Sequence, residues 1–286
     1  MPSPEVTAFH DPATGSLTYL VADAGRSVVI DPVLDFEPAG GRTGTASAER
    51  LIAHIAERGL AVDAILETHI HADHLSAAAY LKDRLGAPVA AGSGVVAVQR
   101  TFKAFYNLGD GFTADGSAFD RLLADGETFA VGGIEARVLH TPGHTPACVS
   151  YLMGDAVFVG DTLFMPDSGT ARCDFPGGDA TLLYRSIRRL LALPEATRLF
   201  VCHDYGADGA RPVAWETTVG AERAANIHVG GGTNEARFVA RRRARDARLA
   251  PPRLILAAIQ VNIRAGRLPP PEANGVAYLK LPLNAL

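Results

Sequence analysis

The chain has 286 residues, 48% of them hydrophobic and 20% charged, enough apolar material for one large domain or one domain with an extension. A net charge of −4 offers no general attraction for nucleic acid, and no apolar run reaches the ~20 residues of a membrane span. Cys148, Cys173 and Cys202 are widely spaced with no CxxC pair, and Met1-Pro2-Ser3-Pro4-Glu5 lacks the charged start and apolar stretch of a secretory leader, so the expectation is a reduced, cytoplasmic protein.

Residues 17–21 and 27–30 are predicted as two short strands around the turn Asp23-Ala24-Gly25, the second closed by Asp31-Pro32-Val33-Leu34-Asp35. A helix over 47–58 ends at Gly59, and 62–67 reads as a buried strand. Directly after it comes Thr68-His69-Ile70-His71-Ala72-Asp73-His74. Three imidazoles and a carboxylate in seven residues suit metal chemistry and little else. If the segment leaves the strand as a loop, alternate side chains converge, so His69 and His71 face one metal position while Asp73 and His74 face a neighbouring one or orient the first pair. Without a metal, burying so many unpaired imidazoles would be costly.

A helix is predicted over 75–85, stopped by Gly86 and Pro88, then a short strand over 89–91. Residues 101–125, with Phe102, Phe105, Tyr106, Phe112 and Phe119, read as a loop pinned by aromatic anchors, with an active-site flap or a dimer contact as alternatives. Hairpins are expected over 128–140, turning at Gly132-Gly133, and over 148–159. Asp179 is placed as the N-cap of a helix through residue 193, with Leu182, Leu183, Ile187, Leu190 and Leu191 on one face. The chain from Trp215 onward reads as mostly helical. Its arginine run over 237–248 reads as a solvated helix face paired with Glu235 and Asp246 rather than a nucleic-acid patch.

Further candidate ligands stand where strands stop: His144 in Thr141-Pro142-Gly143-His144-Thr145, Asp161 in Gly160-Asp161-Thr162, and His203 in Cys202-His203-Asp204-Tyr205. The ordered set HxHxDH, GH, GD, HD resembles the metallo-β-lactamase fold superfamily over about residues 15–205. The resemblance implies an α/β fold, an αββα sandwich with its metal site at one edge of the two sheets. It implies a catalytic domain over 1–210, with 211–286 as a helical C-terminal extension packed on the same domain. Carried over by position, His69, His71 and His144 match the first metal's ligands, Asp73, His74 and His203 the second's, and Asp161 the bridging carboxylate.

The ligand set alone leaves two chemistries open. All seven residues would serve a dinuclear zinc hydrolase. His69, His144 and Asp161 alone form the 2-His-1-carboxylate set of non-haem Fe(II) oxygenases, with His71, Asp73, His74 and His203 as supporting partners. A second segment separates them. Arg172-Cys173-Asp174-Phe175-Pro176-Gly177-Gly178 is similar to the Arg-x-Asp-Phe-x-x-Gly signature of the persulfide dioxygenases, the ETHE1-like branch of that superfamily. Asp31-Pro32-Val33-Leu34, His203-Asp204-Tyr205 and a tail containing Gln260, Asn262, Gly266 and Pro269 resemble the same branch.

That resemblance implies one Fe(II) per chain on His69, His144 and Asp161, oxidising glutathione persulfide with O2 to sulfite and glutathione. His71, Asp73 and His203 would tune the site. Residues 169–175, Tyr205 and the stretch around Phe105 would border the substrate cleft. The alternatives are a glyoxalase II-like thioesterase using two zinc ions on S-acylglutathione, and a metal-stabilised scaffold without catalysis. No nucleic acid or membrane partner is expected; a homodimer is left open. The chain departs from the branch in the longer 101–125 segment, the longer arginine-rich C-terminal region, and Cys173 in place of threonine. Arg172 reads either as holding a substrate carboxylate or as pairing with Asp174, the second preferred. Tyr205 either donates to substrate or simply packs, Cys173 reads as a small buried hydrophobe, and His140 as either a neighbour of the ligands or a strand-end residue. His10, His54 and His228 have no ligand-like context.

Overall fold

Strict alternation along the strands separates two apolar layers. In Ser16–Asp23, Leu17, Tyr19 and Val21 enter one buried cluster and Leu20 the other. In Ala61–Glu67, Ala64 and Leu66 take the first side and Ile65 the second. Residues that alternate between two buried faces need cover on both. A computed structural model describes residues 2–285, apart from the Asp208 side chain, and shows how that cover is arranged.

The first sheet has the order Glu5–Asp11, Ser16–Asp23, Arg26–Ile30, Ala61–Glu67, Val89–Gly92, Arg121–Leu123. The second runs Thr128–Val131, Ile134–His140, Val149–Met153, Ala156–Phe158, Arg198–Phe200, Glu216–Thr218. Their inner faces share Tyr19, Val28, Leu66, Val138, Tyr151 and Phe158. Helices Ala46–Glu57, Ala78–Leu85, Val95–Phe105 and Ile255–Asn262 cover the outer face of the first sheet. Ala180–Leu190 covers the second and carries Glu235–Asp246, whose Phe238 meets Tyr184 at 5.5 Å between ring centroids. The result is the expected αββα sandwich with a largely helical C-terminal portion.

Several elements differ from the sequence expectations. The strand Glu5–Asp11 was not predicted; it pairs along its whole length with Ser16–Asp23. Leu75 and Ser76 form a short strand with Val33 and Leu34 instead of starting a helix. The helix waits until Ala78, because the Ser76 hydroxyl accepts the Ala78 N–H at 3.0 Å. The first part of 101–125 lies in the helix Val95–Phe105 and the last part contains Arg121–Leu123. Between them Tyr106, Phe112 and Phe119 are buried anchors, as expected. Leu182 is exposed, because Asp179 caps the helix through the Leu182 N–H and turns that position outward. Beyond residue 210 the chain adds the strand Glu216–Thr218 to the second sheet, and residues 267–285 form no helix. Arg242 is not on a solvated face: it is buried and ion-paired with buried Asp246, because this helix packs against the body of the protein.

Candidate metal centre

Four strand ends deliver the cluster to one edge of the sandwich. Ala61–Glu67 leads into His69 and His71, Ile134–His140 into His144, Ala156–Phe158 into Asp161, and Arg198–Phe200 into His203. Two glycines let these loops close on one another. Gly160 has φ +52°, and a Cβ there would lie 2.6 Å from Thr68 Oγ1. Gly143 has φ +139°, and a Cβ would strike Leu183 N at 2.2 Å, at the start of Ala180–Leu190.

Donor atoms of His69, His144 and Asp161 lie within 4.8 Å of one another. Asp161 Oδ2 is 3.8 Å from His69 Nε2 and 3.6 Å from His144 Nε2. Hydrogen bonds at the far side of each ring fix which nitrogen is bare. His144 Nδ1 donates to the Arg172 carbonyl at 2.6 Å, which leaves its Nε2 without a proton when the ring is neutral. The Thr68 hydroxyl gives its proton to Asp31 Oδ2 at 2.8 Å, so it accepts from His69 Nδ1 at 3.0 Å. His69 Nε2 is thereby bare as well, and burial holds this imidazole's pKa well below its ordinary value.

His203 Nε2 sits 3.4 Å from both Asp161 Oδ1 and Asp73 Oδ2. His74 Nδ1 lies 3.0 Å from Asp73 Oδ2 and 3.2 Å from Ser16 Oγ. His71 turns Nε2 away from the triad, toward Asp31 Oδ1 at 3.1 Å and Glu67 Oε2 at 3.2 Å. These carboxylates take the Nε2–H, which leaves His71 Nδ1 bare when the ring is neutral. His69 Nε2, His71 Nδ1, His74 Nε2, His203 Nε2 and Asp161 Oδ1 are all buried with no hydrogen-bond partner among the described residues. Orphaned polar atoms at this density are expensive, and a cation is the natural partner for bare imidazole nitrogens and carboxylate oxygens. The residues therefore fit a metal.

Behind the cluster Asp31, Thr68, Glu67, Ser76 and Asn262 are linked by hydrogen bonds. Asp31, itself at φ +50°, accepts the Thr68 N–H at 2.7 Å as well as the Thr68 hydroxyl. Glu67 accepts from the Ser76 hydroxyl while contacting His71. Asn262 uses its whole carboxamide: Nδ2 donates to the carbonyls of His71 and His74, both at 2.8 Å, and Oδ1 accepts the Ser76 N–H at 2.8 Å. One side chain from the C-terminal helix thus pins both flanks of the metal motif. Glu67 and Ser76 were not singled out from the sequence. The available signal was an acid ending the apolar strand Ala64-Ile65-Leu66, where an unpartnered carboxylate would be costly.

In front lies a cavity of about 560 Å³, lined by Asp73, His144, Asp161 and His203 at the cluster and by Phe164, Phe175, Tyr205, Arg245 and Leu249 among its walls. Arg172 pairs with Asp174 through Nε at 2.6 Å and Nη2 at 2.7 Å, and donates Nη1 to the Ala250 carbonyl at 2.7 Å. Phe175 meets His144 edge-on at 5.1 Å.

A family model described as the metallo-beta-lactamase superfamily matches residues 11–203. The chain belongs to this superfamily. It is 55% identical to a probable metallo-hydrolase of Burkholderia pseudomallei, covering 98% of this chain and 99% of that one. It is 54% identical to a beta-lactamase hydrolase-like protein of Xylella fastidiosa, across 99% of this chain but only 66% of that longer protein. Glyoxylase B2 of Dictyostelium discoideum is 49% identical, over 99% and 97% of the two chains. Among solved structures, ETHE1 from Myxococcus xanthus superposes with a TM-score of 0.73 at 30% identity, covering 92% of this chain and all of that one. The protein TTHA1623, solved in a di-iron-bound form, superposes at 0.54 with 31% identity, over 77% and 98% of the chains.

Within this superfamily fold, the seven residues expected at the metal site are all brought to one edge of the sheets. Tyr205 lines the cavity but is exposed, its ring parallel to that of His203 at 6.2 Å between centroids. Phe105 does not line the cavity; it packs with the cluster on the outer face of the first sheet, because the helix Val95–Phe105 lies there. Cys173 is buried 3.4 Å from Asp246, and burial pushes its thiol to about 12, as suits an unreactive side chain. His140 ends its strand with Nε2 at 3.1 Å from the Leu123 carbonyl. His228 accepts the Thr170 N–H at 3.0 Å, a structural bond rather than a ligand position. No helix among the described residues is long and apolar enough to cross a membrane.

Proposed function

We propose that this protein is a cytoplasmic persulfide dioxygenase that oxidises glutathione persulfide with O2 to sulfite and glutathione, using one Fe(II) held by His69, His144 and Asp161. The observation that carries this reading is the grouping of donors. His69, His144 and Asp161 form one set within 4.8 Å, whereas His71 groups with Asp31 and Glu67, with Asp73 and His74, and with Cys202 and His203, never with the triad. The segment resembling the dioxygenase signature adds support, since the Arg172 carbonyl holds the tautomer of His144 and Phe175 packs on its ring. The likeness to the ETHE1 structure extends over nearly the whole chain. Bound Fe(II) supplies open coordination positions and electrons for reaction with O2.

The protein's own residues do the rest. Thr68 and the Arg172 carbonyl orient the two histidines. The Arg172–Asp174 pair braces the loop on one side of the cavity. Apolar Phe164 and Phe175 limit water in the cavity. The overall balance is RSSH + O2 + H2O giving RSH, sulfite and two protons. Oxygen uptake with glutathione persulfide, with sulfite formed in equal amount, is the expected result; persulfide-independent thioester hydrolysis with no oxygen uptake overturns it.

One set of observations favours a second reading. His71 Nδ1, His74 Nε2 and His203 Nε2 are also without partners, which suits a second metal and a thioesterase acting on S-acylglutathione. Assaying that substrate alongside the persulfide decides between them.

A further inference from the structure

Three arginines line the cavity, and two are fully engaged. Arg172 spends its guanidinium on Asp174 and the Ala250 carbonyl. Arg242 spends its own on Asp246 and the Thr170 carbonyl. The lining carboxylate Asp167 is likewise taken, by Arg211. Arg245, one turn on from Arg242 in Glu235–Asp246, has no carboxylate or carbonyl partner among the described residues and faces the same cavity as the metal cluster. The walls between carry Phe164, Phe175, Ile227 and Leu249.

We infer that Arg245 is a specificity residue that receives a carboxylate of the substrate's organic half, so that the site takes small peptidic thiols rather than simple alkyl thiols. This rests on the proposed function, because it places the thiol sulfur at the metal cluster. The chemistry favours it in two ways. A guanidinium with free N–H donors recognises a carboxylate through paired, charge-assisted bonds. A site of this volume falls in the range of small-molecule cavities, ~300–1,000 Å³, where a few polar groups on apolar walls set orientation. Arg172, the other reading for this task, has its donors engaged by Asp174 and the Ala250 carbonyl. A thiol bearing phosphate would present the same kind of anion, so the test must separate the two.

The test measures binding of S-methylglutathione, its diethyl ester and coenzyme A to the metal-loaded protein by calorimetry, for wild type, Arg245→Ala and Arg245→Lys. The expected result is a loss of about tenfold or more in S-methylglutathione affinity on Arg245→Ala, as for one exposed charge-assisted contact, and a partial recovery in Arg245→Lys. The diethyl ester should bind wild type weakly and be unaffected by the substitution, which a merely structural arginine at a helix end would not produce. Equal affinity of the variant for S-methylglutathione, equal losses for acid and ester, no binding of S-methylglutathione to wild type, or Arg245-dependent binding of coenzyme A alone would each overturn the inference. None of these ligands reacts with O2. Arg245-dependent binding without persulfide-driven oxygen uptake would therefore sink the dioxygenase reading and leave this one standing.

Discussion

The two sides of the cluster are built on opposite principles. At the rear, Asp31, Thr68, Glu67, Ser76 and Asn262 are buried, and each has at least one hydrogen-bond partner within the wall. At the front, Tyr205 is 61% exposed and Arg245 keeps unspent donors. A wall with no free capacity holds ligands at fixed positions; a wall with spare donors and apolar surface is free to bind something else. The rear should therefore govern whether metal is held, and the front which molecule reaches it. Substitutions on the two sides should separate these properties.

The largest effect is expected where the walls meet. Asp161→Asn removes the only anionic member of the triad and should lose most metal and most activity, by metal analysis and turnover. A variant that keeps full iron would break the triad assignment. On the rear, His71→Ala should lower turnover ~10–100-fold, as outer partners of metal ligands typically do, while more than half the iron remains; complete loss of iron would make His71 a ligand. Asn262→Ala leaves two buried carbonyls and one buried N–H unpaired, at a cost of ~2–4 kcal/mol. It should lower the melting temperature and iron content together and leave KM for the persulfide unchanged.

Arg172 borders the cavity but belongs with the metal-holding groups: Arg172→Ala breaks a two-point ion pair on a loop whose backbone holds His144. A modest fall in stability and iron content, with KM little altered, is expected. A raised KM with unchanged stability would return Arg172 to substrate binding.

The smallest effect lies behind the loop whose Ser168 and Thr170 line the cavity. Burial pushes Glu222 up to about 7, and it accepts from Asn226, which in turn donates to the Gly169 carbonyl. A carboxyl whose folded pKa lies above its unfolded value binds its proton more tightly when folded. That stability is fully present below about pH 4.5, is lost as pH rises toward 7, and amounts to no more than ~3 kcal/mol. Glu222→Gln should therefore match wild type at pH 4.5 and melt about 2–6 °C higher at pH 8. Identical melting temperatures across that range would show that Glu222 is not buried as described.

The same contrast explains what was legible in the sequence. The ligands were readable because they are dense or stand at strand ends beside glycines: 68–74 is a local pattern, and Gly143 and Gly160 mark where loops must approach closely. Asn262 was noticed only through resemblance. Its task depends on a helix nearly two hundred residues from His71 returning to the motif, which no local periodicity encodes. Arg245 was read as part of a solvated face for the same reason, since its helix had no assigned neighbour until the chain was folded. Val95–Phe105 was missed because polar Gln99, Arg100 and Thr101 interrupt its apolar pattern. Gln99 is nonetheless fully buried, donating to the Ile263 carbonyl and accepting the Gly116 N–H, a long-range bond that overrides local polarity.

Where the two walls meet, His69, His144 and Asp161 are proposed to hold a single iron rather than share two metals with the other histidines. Elemental analysis of the natively metallated protein, purified without oxygen, tests it most directly. The expected result is one iron per chain with little zinc, and that iron lost in Asp161→Asn. Two tightly held zinc ions per chain would contradict it.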